Sequence, residues 1–368
     1  MSQEFISTIL ERRCLVPTGA DRRCYHLVMD LKGSDIHYRV GDSVGVYAKN
    51  NEEEVEELLK LVPGAKERVI DKKGNEAYWC DFLREKANLR TVNRKLLETI
   101  AERGNNLFLK ELLVDREGLK GYLANYHVAD ILEEFKDVSF EPGELALLMM
   151  PLMPRFYSVA SSQEVVGDTV HLLVADVHYQ LKGKERRGVA SHQLCHVLPL
   201  HEPVISLFHQ QAHAFALPED LQAPLIMVGP GTGVAPYRGF MQERMRLGAS
   251  QKNWLFFGDW YEKEHFYYHE EWKKLAEDGW IKLSTAFSRD QHHKIYVQHR
   301  MKEQAKELYQ WLQDGAYFYV CGDASQMARD VEDVLLEIFE TEGKMGVEEA
   351  RQYLKHLRTS KRYQRDVY

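Results

Sequence analysis

A glycine-rich turn is the strongest chemical signal in the sequence. The run Gly229-Pro230-Gly231-Thr232-Gly233-Val234-Ala235-Pro236 follows the apolar segment 225–228 and precedes a helical stretch that begins near Tyr237. Glycines let a backbone approach a phosphate without Cβ clashes, and the start of a helix offers free N–H groups and a partial positive charge. We therefore predict that Gly231, Thr232 and Gly233 bind the pyrophosphate of a dinucleotide. The alternative is a tight turn that uses glycine for steric reasons alone.

Cations and hydroxyl groups cluster further along the chain, in Ser288-Arg289 and in Lys294-Ile295-Tyr296-Val297-Gln298. In a doubly wound sheet, these residues fall at the carboxyl ends of strands, where Arg289 and Lys294 can bind a 2′-phosphate and Tyr296 can stack on adenine. The cluster favours NADPH over NADH. The alternative is a solvated loop with incidental charges.

Two patterns of apolar residues predict the elements that position these groups. After residue 218, buried apolar strands alternate with helices, which is typical of a parallel sheet in a doubly wound α/β domain. Before that point, short runs between turn signals predict antiparallel strands, and a stretch with helical periodicity interrupts them. The strands are predicted at 146–150, 156–160, 170–177, 204–208, 225–228, 254–257, 282–287 and 317–320. The predicted domains are a β-barrel of residues 1–50 and 136–217, a mainly helical insertion at 51–135, and an α/β domain at 218–368.

Composition narrows the class of protein. The 368 residues are 44% hydrophobic and 28% charged, as in ordinary globular proteins, and the net charge of −8 gives no general attraction to nucleic acid or anionic lipid. The absence of a long apolar run predicts no membrane segment and a cytoplasmic location. Five cysteines without a CxxC spacing indicate reduced thiols. His209 and His213, predicted to lie in a loop, are not expected to bind a metal, and we predict no metal site.

A second set of motifs resembles a known family. The run Arg155-Phe156-Tyr157-Ser158-Val159-Ala160-Ser161-Ser162 resembles the FAD-binding RxYS strand of the ferredoxin-NADP reductase superfamily. Gly188-Val189-Ala190-Ser191 resembles the pyrophosphate-binding turn of that family, and Tyr319-Val320-Cys321-Gly322-Asp323 resembles its strand end beside the nicotinamide. The ending 362–368 is similar to that of the flavoprotein subunits of NADPH-dependent sulfite reductase, in the diflavin reductase branch. The motifs occur in the family's order and cover essentially the whole chain.

The resemblance implies an FAD-binding barrel and gives roles to single residues. Arg155 would neutralise the FAD pyrophosphate, Tyr157 would pack on the isoalloxazine ring and Ser158 would hydrogen-bond near flavin N5. Tyr179 would stack near adenine. Further contacts with FAD or NADPH are assigned by the resemblance to Thr91, Phe156, Leu173, Val174, Ala175, Gly188, Val189, Ala190, Ser191 and Asp330.

The same resemblance implies a hydride path around Ser158, Cys321 and Asp366, with Tyr368 over the flavin face that nicotinamide must reach. Asp366 would stabilise positive charge that develops on nicotinamide, and Tyr368 would act as a gate. Without the resemblance, Cys321 reads as a small core residue and the last residues read as a frayed tail.

The family implies that hydride passes from NADPH to FAD and that single electrons then leave the flavin. Because nothing before Phe5 could supply the flavodoxin-like domain of those subunits, we expect an FMN-bearing or flavodoxin-like polypeptide as acceptor, and possibly a sirohaem sulfite reductase subunit beyond it. The chain could also be an excised fragment. Two alternatives stay open: a free-standing flavodoxin or ferredoxin-NADP reductase, and a non-catalytic docking module.

Overall fold

The computed structural model describes residues 4–368, which form two compact units. The first unit comprises the described residues through Gly45, together with Phe156–Asp176 and Leu198–Tyr368. The second unit comprises Val46–Arg155 and Val177–Val197. The chain therefore leaves the first unit twice and returns to it twice.

The strands are numbered in chain order. They are β1 (Phe5–Cys14), β2 (Cys24–Asp30), β3 (Ser43–Tyr47), β4 (Arg68–Ile70), β5 (Glu76–Tyr78), β6 (Ala87–Asn88), β7 (Met150–Pro151), β8 (Arg155–Ser158), β9 (Thr169–Ala175), β10 (His178–Leu181), β11 (Lys184–Arg187), β12 (Pro203–Gln210), β13 (Leu225–Val228), β14 (Asn253–Asp259), β15 (Lys282–Phe287), β16 (Tyr317–Gly322) and β17 (Tyr363–Val367).

The α-helices are numbered in the same way. They are α1 (Glu52–Leu61), α2 (Trp79–Glu85), α3 (Arg94–Arg103), α4 (Leu107–Leu112), α5 (Arg116–Leu123), α6 (Val128–Glu134), α7 (Pro142–Leu148), α8 (Gln163–Val166), α9 (Val189–His192), α10 (Ala235–Arg246), α11 (Glu262–His265), α12 (His269–Glu277), α13 (Val297–Glu303), α14 (Ala305–Gln313), α15 (Met327–Thr341) and α16 (Val347–Thr359).

The first unit contains a six-stranded sheet in the order β8-β3-β12-β1-β2-β9. Its pairs β1–β12, β1–β2 and β2–β9 are antiparallel. Val159, directly after β8, forms an antiparallel bridge with Leu172 in β9. Because β8 and β9 are the two ends of the sheet, this bridge closes it into a barrel.

The first unit also contains a five-stranded parallel sheet in the order β15-β14-β13-β16-β17. Its central strand β13 buries Leu225 and Met227 in one hydrophobic cluster and Ile226 and Val228 in another. Alternate residues of one strand point to opposite faces, so both faces of this sheet are covered. This is the doubly wound arrangement that the alternating pattern predicts.

The second unit has one hydrophobic core, to which its helices contribute. The amphipathic helix α3 buries Leu96, Leu97, Ile100 and Ala101 at helical spacing, and the side chain of Asn93 accepts a hydrogen bond from the Leu96 amide at the helix start. The short strand pairs β4–β5, β6–β7 and β10–β11 lie in the same unit.

Two local predictions are wrong. The apolar run 146–150, expected as a strand, forms the end of helix α7 and only enters the short strand β7 at Met150. Pro142 opens α7, and Leu145, Leu148 and Met149 are buried at helical spacing, a pattern that short apolar runs do not separate from a strand. His209, expected in a loop, lies in β12 with its Nε2 atom 2.7 Å from Asp42 Oδ2.

Candidate active site

The glycine-rich turn connects β13 to α10. Gly231 has a φ of 58°, and residues Gly231–Val234 form a 3₁₀ turn ahead of the helix. A Cβ atom on Gly233 would lie 2.1 Å from the carbonyl oxygen of Cys321. Glycine is therefore required there, because the turn packs directly against the backbone at the end of β16.

A cavity of about 630 Å³ opens at the carboxyl ends of the parallel strands. Ligands bind doubly wound sheets at this edge. Its walls include the predicted residues Gly231, Ser288, Arg289, Lys294, Tyr296, Val297, Gln298 and Asp330. Ile295 instead packs on a hydrophobic core, and Thr232 and Gly233 are not among the residues that line this cavity.

The cavity leaves positive charge available for an anion. Of the three cations on its walls, only Arg22 has a carboxylate partner in the described part of the chain, Asp259 at 3.2 Å. Arg289 and Lys294 are both exposed. A phosphate is the type of ligand that such unneutralised cations bind, so the 2′-phosphate of NADPH fits this cavity.

The carboxylates on the walls already have partners. Asp330 accepts hydrogen bonds from the side-chain amides of Gln298 at 3.0 Å and Gln326 at 2.6 Å. Asp323 accepts a hydrogen bond from the Gln326 amide near the start of α15, and hydrogen bonds there lower the pKa of its carboxyl group. These contacts hold the acidic side chains against the protein.

Ser158, Cys321 and Asp366 meet at one carboxylate oxygen. Cys321 in β16 is directly opposite Asp366 in β17. The Ser158 hydroxyl donates to Asp366 Oδ2 at 2.7 Å, and the Cys321 thiol lies 3.8 Å from the same atom. Burial raises the pKa of the Cys321 thiol, and the neighbouring Asp366 carboxylate raises it further, so the thiol is neutral at physiological pH.

The end of the chain is ordered by the sheet. Residues Tyr363–Val367 pair with β16, so the alternative of a frayed tail is wrong for them. The amide of Tyr368 donates to the Gly322 carbonyl, and its hydroxyl lies 2.9 Å from Thr232 Oγ1. Its side chain is nevertheless 65% exposed, which leaves it room to move.

Residues 156–162, most of the run that resembles the FAD-binding strand, lie in the first unit. Phe156 is exposed, Tyr157 and Ser158 are half-buried, and Val159 is fully buried. This gradient leaves the start of the motif open to a ligand. The side chains of Leu173 and Val174 are buried in the barrel and Ala175 is half-buried, so the first two side chains are used in packing.

The second unit contains Arg155 and the turn Gly188–Ser191, which resembles the family's pyrophosphate-binding turn. A Cβ atom on Gly188 would lie 2.3 Å from Ser191 Oγ and 2.9 Å from Val177 Cβ, so this turn also requires glycine. Ser191 Oγ accepts a hydrogen bond from the Val177 amide, and Val189 and Ala190 are buried below the turn. Arg155 is exposed. The turn is a narrow backbone cradle that a side chain would fill.

The second unit has its own cavity, of about 720 Å³, on whose walls Thr91 and Tyr179 both lie. The hydroxyl of Tyr179 is 2.9 Å from His127 Nε2, which fixes the orientation of the ring. Asn125 and Tyr126 line the same cavity. An aromatic wall with polar neighbours fits the adenine end of FAD.

Sequence reasoning missed several wall residues. Arg22, Asp259 and Trp260 line the cavity of the first unit, and Asn125 and Tyr126 line that of the second. Asp259 and Trp260 follow a buried strand, which is a signal that could have revealed them. Arg22 carries no such signal, because it is remote in sequence from the other residues of the cavity.

Two families match the chain. A model described as FAD binding domain matches residues 1–114 and 94–193, and one described as oxidoreductase NAD-binding domain matches residues 227–333. The chain belongs to the family that the FAD-binding model describes. The predicted fold of the ferredoxin-NADP reductase type, an antiparallel FAD-binding barrel and a parallel NAD(P)-binding sheet, is confirmed. The predicted FAD cofactor, a nicotinamide dinucleotide as second ligand and the class of flavoprotein oxidoreductase are also confirmed.

The resemblance to sulfite reductase flavoproteins is confirmed by similar curated proteins. The sulfite reductase [NADPH] flavoprotein alpha-component of Vibrio cholerae is 44% identical over 352 residues, which is 95% of this chain and 57% of the relative. Those of Aliivibrio fischeri and Bacillus subtilis are 41% and 40% identical, over 99% of this chain and 60% and 61% of their own length. The chain thus spans about three fifths of the relatives that it matches.

Within 4–368, no helix is long and apolar enough to cross a membrane. The same residues contain no group of three or more histidine, cysteine, aspartate or glutamate side chains that could hold a metal ion.

Proposed function

We propose that this family member takes hydride from NADPH onto FAD and passes electrons one at a time to an FMN-bearing or flavodoxin-like carrier, in support of sulfite reduction to sulfide. The observation that carries the proposal is the convergence of the Ser158 hydroxyl and the Cys321 thiol on Oδ2 of the Asp366 carboxylate. The cluster lies at the carboxyl end of the parallel sheet, where the cavity for the nucleotide also opens.

On the nucleotide side, the chain would bind both the 2′-phosphate and the pyrophosphate of NADPH. Arg289 and Lys294 would bind the 2′-phosphate with Ser288 and Gln298, while Tyr296 would stack on adenine. Backbone N–H groups of the turn 231–233 would bind the pyrophosphate, together with the start of α10. Ile295, Val297 and Asp330 would complete this site through the backbone and through packing.

On the hydride path, Asp366 would face the nicotinamide with a carboxylate oriented by Ser158. Negative charge held at that position stabilises the positive charge that develops on nicotinamide during hydride loss. Cys321 would stay neutral and exclude water from the cluster, because it is fully buried. Hydride transfer requires a donor–acceptor approach of about 3–3.5 Å, so the exposed ring of Tyr368 would swing aside.

On the flavin side, Arg155 would neutralise the pyrophosphate, and the turn Gly188–Ser191 would contact it through the backbone. Tyr157 would pack on the ring system beside Phe156, and Tyr179 would pack near adenine beside Thr91. In the first unit, FAD would also contact Ala175 and the backbone of Leu173 and Val174. Bound FAD supplies the two-electron to one-electron step that NADPH alone does not perform.

The names of the relatives support the choice of acceptor. They are named as the flavoprotein alpha-component of an NADPH-dependent sulfite reductase, which implies that this type of chain serves a separate sulfite-reducing component. We therefore propose a flavodoxin-like carrier as the direct partner and a sirohaem sulfite reductase subunit beyond it. A cytoplasmic location fits the five free cysteines.

Anaerobic stopped-flow absorbance of the FAD-loaded protein tests the proposal. We expect fast flavin bleaching with NADPH, slow bleaching with NADH, and sulfide formation only after a flavodoxin-like carrier and a sulfite reductase haemoprotein are both added. Bleaching with electron delivery to flavodoxin or ferredoxin, but no sulfite chemistry in any combination, would identify a free-standing reductase. A colourless protein that takes up no FAD would identify a docking module.

A variant addresses the hydride cluster itself. Asp366→Asn should slow bleaching by NADPH about 100-fold, because it removes the charge opposite the nicotinamide. The matched control is Asp333→Asn, which changes an exposed carboxyl group on α15 and should leave the rate unchanged. Equal rates for the two variants would contradict the role of Asp366.

A further inference from the structure

Trp260 contacts two cations of the nucleotide cavity. The guanidinium carbon of Arg289 lies 3.4 Å from the centre of a Trp260 ring, and that of Arg22 lies 4.5 Å from it. All three side chains line the cavity. Tryptophan is the aromatic side chain that attracts a cation most strongly.

The backbone holds Trp260 in position. Its amide donates to Asp259 Oδ1 at 2.7 Å, and its carbonyl accepts the Arg289 amide at 2.9 Å. The amide of Ser288 also donates to the Asp259 carbonyl, so the end of β14 and the residue after it are hydrogen-bonded to the residues that follow β15. The indole ring is therefore attached to a rigid edge of the sheet.

The two arginines differ in what else restrains them. Arg22 also donates to the Asp259 carboxylate at 3.2 Å. Arg289 is exposed, and in the described residues its guanidinium has the ring but no carboxylate partner. A free arginine side chain loses rotamer entropy when it is ordered. Contact with the ring supplies part of that order before a ligand arrives.

Stacking leaves the donors of the guanidinium group available. The flat face of the group lies on the ring, whereas its N–H bonds point outward in the plane. A planar, preoriented guanidinium binds a phosphate through two parallel hydrogen bonds.

We propose that Trp260 is a positioning residue that sets the preference of the cavity for a 2′-phosphorylated nucleotide by holding Arg289 in a phosphate-binding orientation. The inference rests on the proposed 2′-phosphate site and adds to it the residue that organises that site. Trp260 acts through Arg289 and contacts no reacting atom.

Titration calorimetry with adenosine 2′,5′-bisphosphate and with 5′-AMP tests the inference on the full chain loaded with FAD. Trp260→Leu should weaken binding of the bisphosphate about tenfold and change binding of 5′-AMP less than twofold. Trp260→Phe should restore most of the loss, because a smaller aromatic face remains. The control Tyr261→Leu removes the neighbouring aromatic side chain and should leave both affinities unchanged.

Two more variants separate stacking from structural damage. In an Arg289→Ala background, Trp260→Leu should cause no further loss, since the group that it positions is absent. Arg289→Lys keeps the charge but has no flat face, and should lose about as much bisphosphate affinity as Trp260→Leu. This variant leaves Trp260 intact, so it tests the inference even where Trp260→Leu does not fold.

The possible outcomes are distinguishable. If the unaltered protein binds both nucleotides equally, the proposed 2′-phosphate site is wrong. If it prefers the bisphosphate and either Trp260→Leu or Arg289→Lys keeps that preference, the positioning role of Trp260 is wrong while the proposed site stands. Equal losses for both nucleotides in Trp260→Leu would indicate a merely structural role for the ring.

Discussion

Positive charge is used in opposite ways in the two units. In the second unit, Arg186 is 5% exposed and binds the carboxylates of Glu57 and Asp130 at 2.8 and 3.3 Å. In the cavity of the first unit, Arg289 and Lys294 are exposed, and in the described residues neither forms an ion pair. This chain neutralises the cations that contribute to its stability. The cations that we assign to a ligand have no carboxylate partner in the described residues.

The cost of burial explains the first arrangement. Burial raises the pKa of Glu54, although Arg90 and Arg186 beside it favour the ionised form. A buried charge without a partner costs several kcal/mol, so cations and carboxylates must enter such a cluster together. Leaving an exposed cation without a partner costs little free energy, and the cation stays available to bind a phosphate.

The largest expected effect comes from breaking the buried cluster. Arg186→Met should lower the free energy of unfolding by about 3 kcal/mol, because it leaves the buried Asp130 and the half-buried Glu57 without this guanidinium partner. Urea unfolding at pH 7 measures the loss. The control is Arg68→Met, which removes an exposed pair with Glu76 and should change the free energy of unfolding far less, because water screens that pair. Similar losses for both variants would show that the buried cluster contributes no more to stability than an exposed ion pair does.

The next effect concerns the cavity. Arg289→Ala should raise the KM for NADPH about 30-fold and that for NADH less than twofold, since a charge-assisted hydrogen bond contributes about 2 kcal/mol. The free energy of unfolding should change little, because this exposed cation loses its contact with the Trp260 ring but no carboxylate partner. Steady-state kinetics with ferricyanide as acceptor, with the exposed Arg351→Ala as control, measures both constants. Equal losses for NADPH and NADH would refute the 2′-phosphate role.

The smallest effect is a pH dependence that both units share. Burial beside cations lowers the pKa of His127 in the second unit to about 4 and that of His171 in the first unit to about 4. Burial likewise lowers the pKa of His26 to about 3. Each histidine is neutral when folded, whereas it takes up a proton below about pH 6.5 when unfolded. Stability should therefore be intact above that pH and fall as the pH drops towards 4.

Unfolding in urea at several pH values measures this loss. We expect about 1 kcal/mol for each of these histidines between pH 6.5 and 5.5. The side chain in His127→Gln cannot titrate, so the free energy of unfolding of this variant should fall by about 1 kcal/mol less over the same pH range. The loss due to His26 and His171 in the first unit should remain. A profile that is unchanged in this variant would show that His127 is not held neutral by its surroundings.

Much of the fold follows from local patterns. Adjacent residues predict a strand at 225–228, a glycine-rich turn after it and a helix that follows. The structure contains them as β13, the 3₁₀ turn Gly231–Val234 and α10. Local patterns failed at 146–150, where burial against a helical core decided for α7 over a strand. An apolar run records that a segment is buried, but not which element buries it.

The sequence by itself predicted the chemistry of the candidate site as glycines for phosphate approach and cations for a 2′-phosphate, and its resemblance to a known family indicated a hydroxyl, a thiol and a carboxylate on the hydride path. Only the tertiary structure brought Ser158 within 2.7 Å of Asp366, and Arg22 onto the ring of Trp260. The reason is physical. Residue type and spacing specify local backbone geometry, whereas contacts between distant segments depend on strand order, which is decided by the packing of whole sheets.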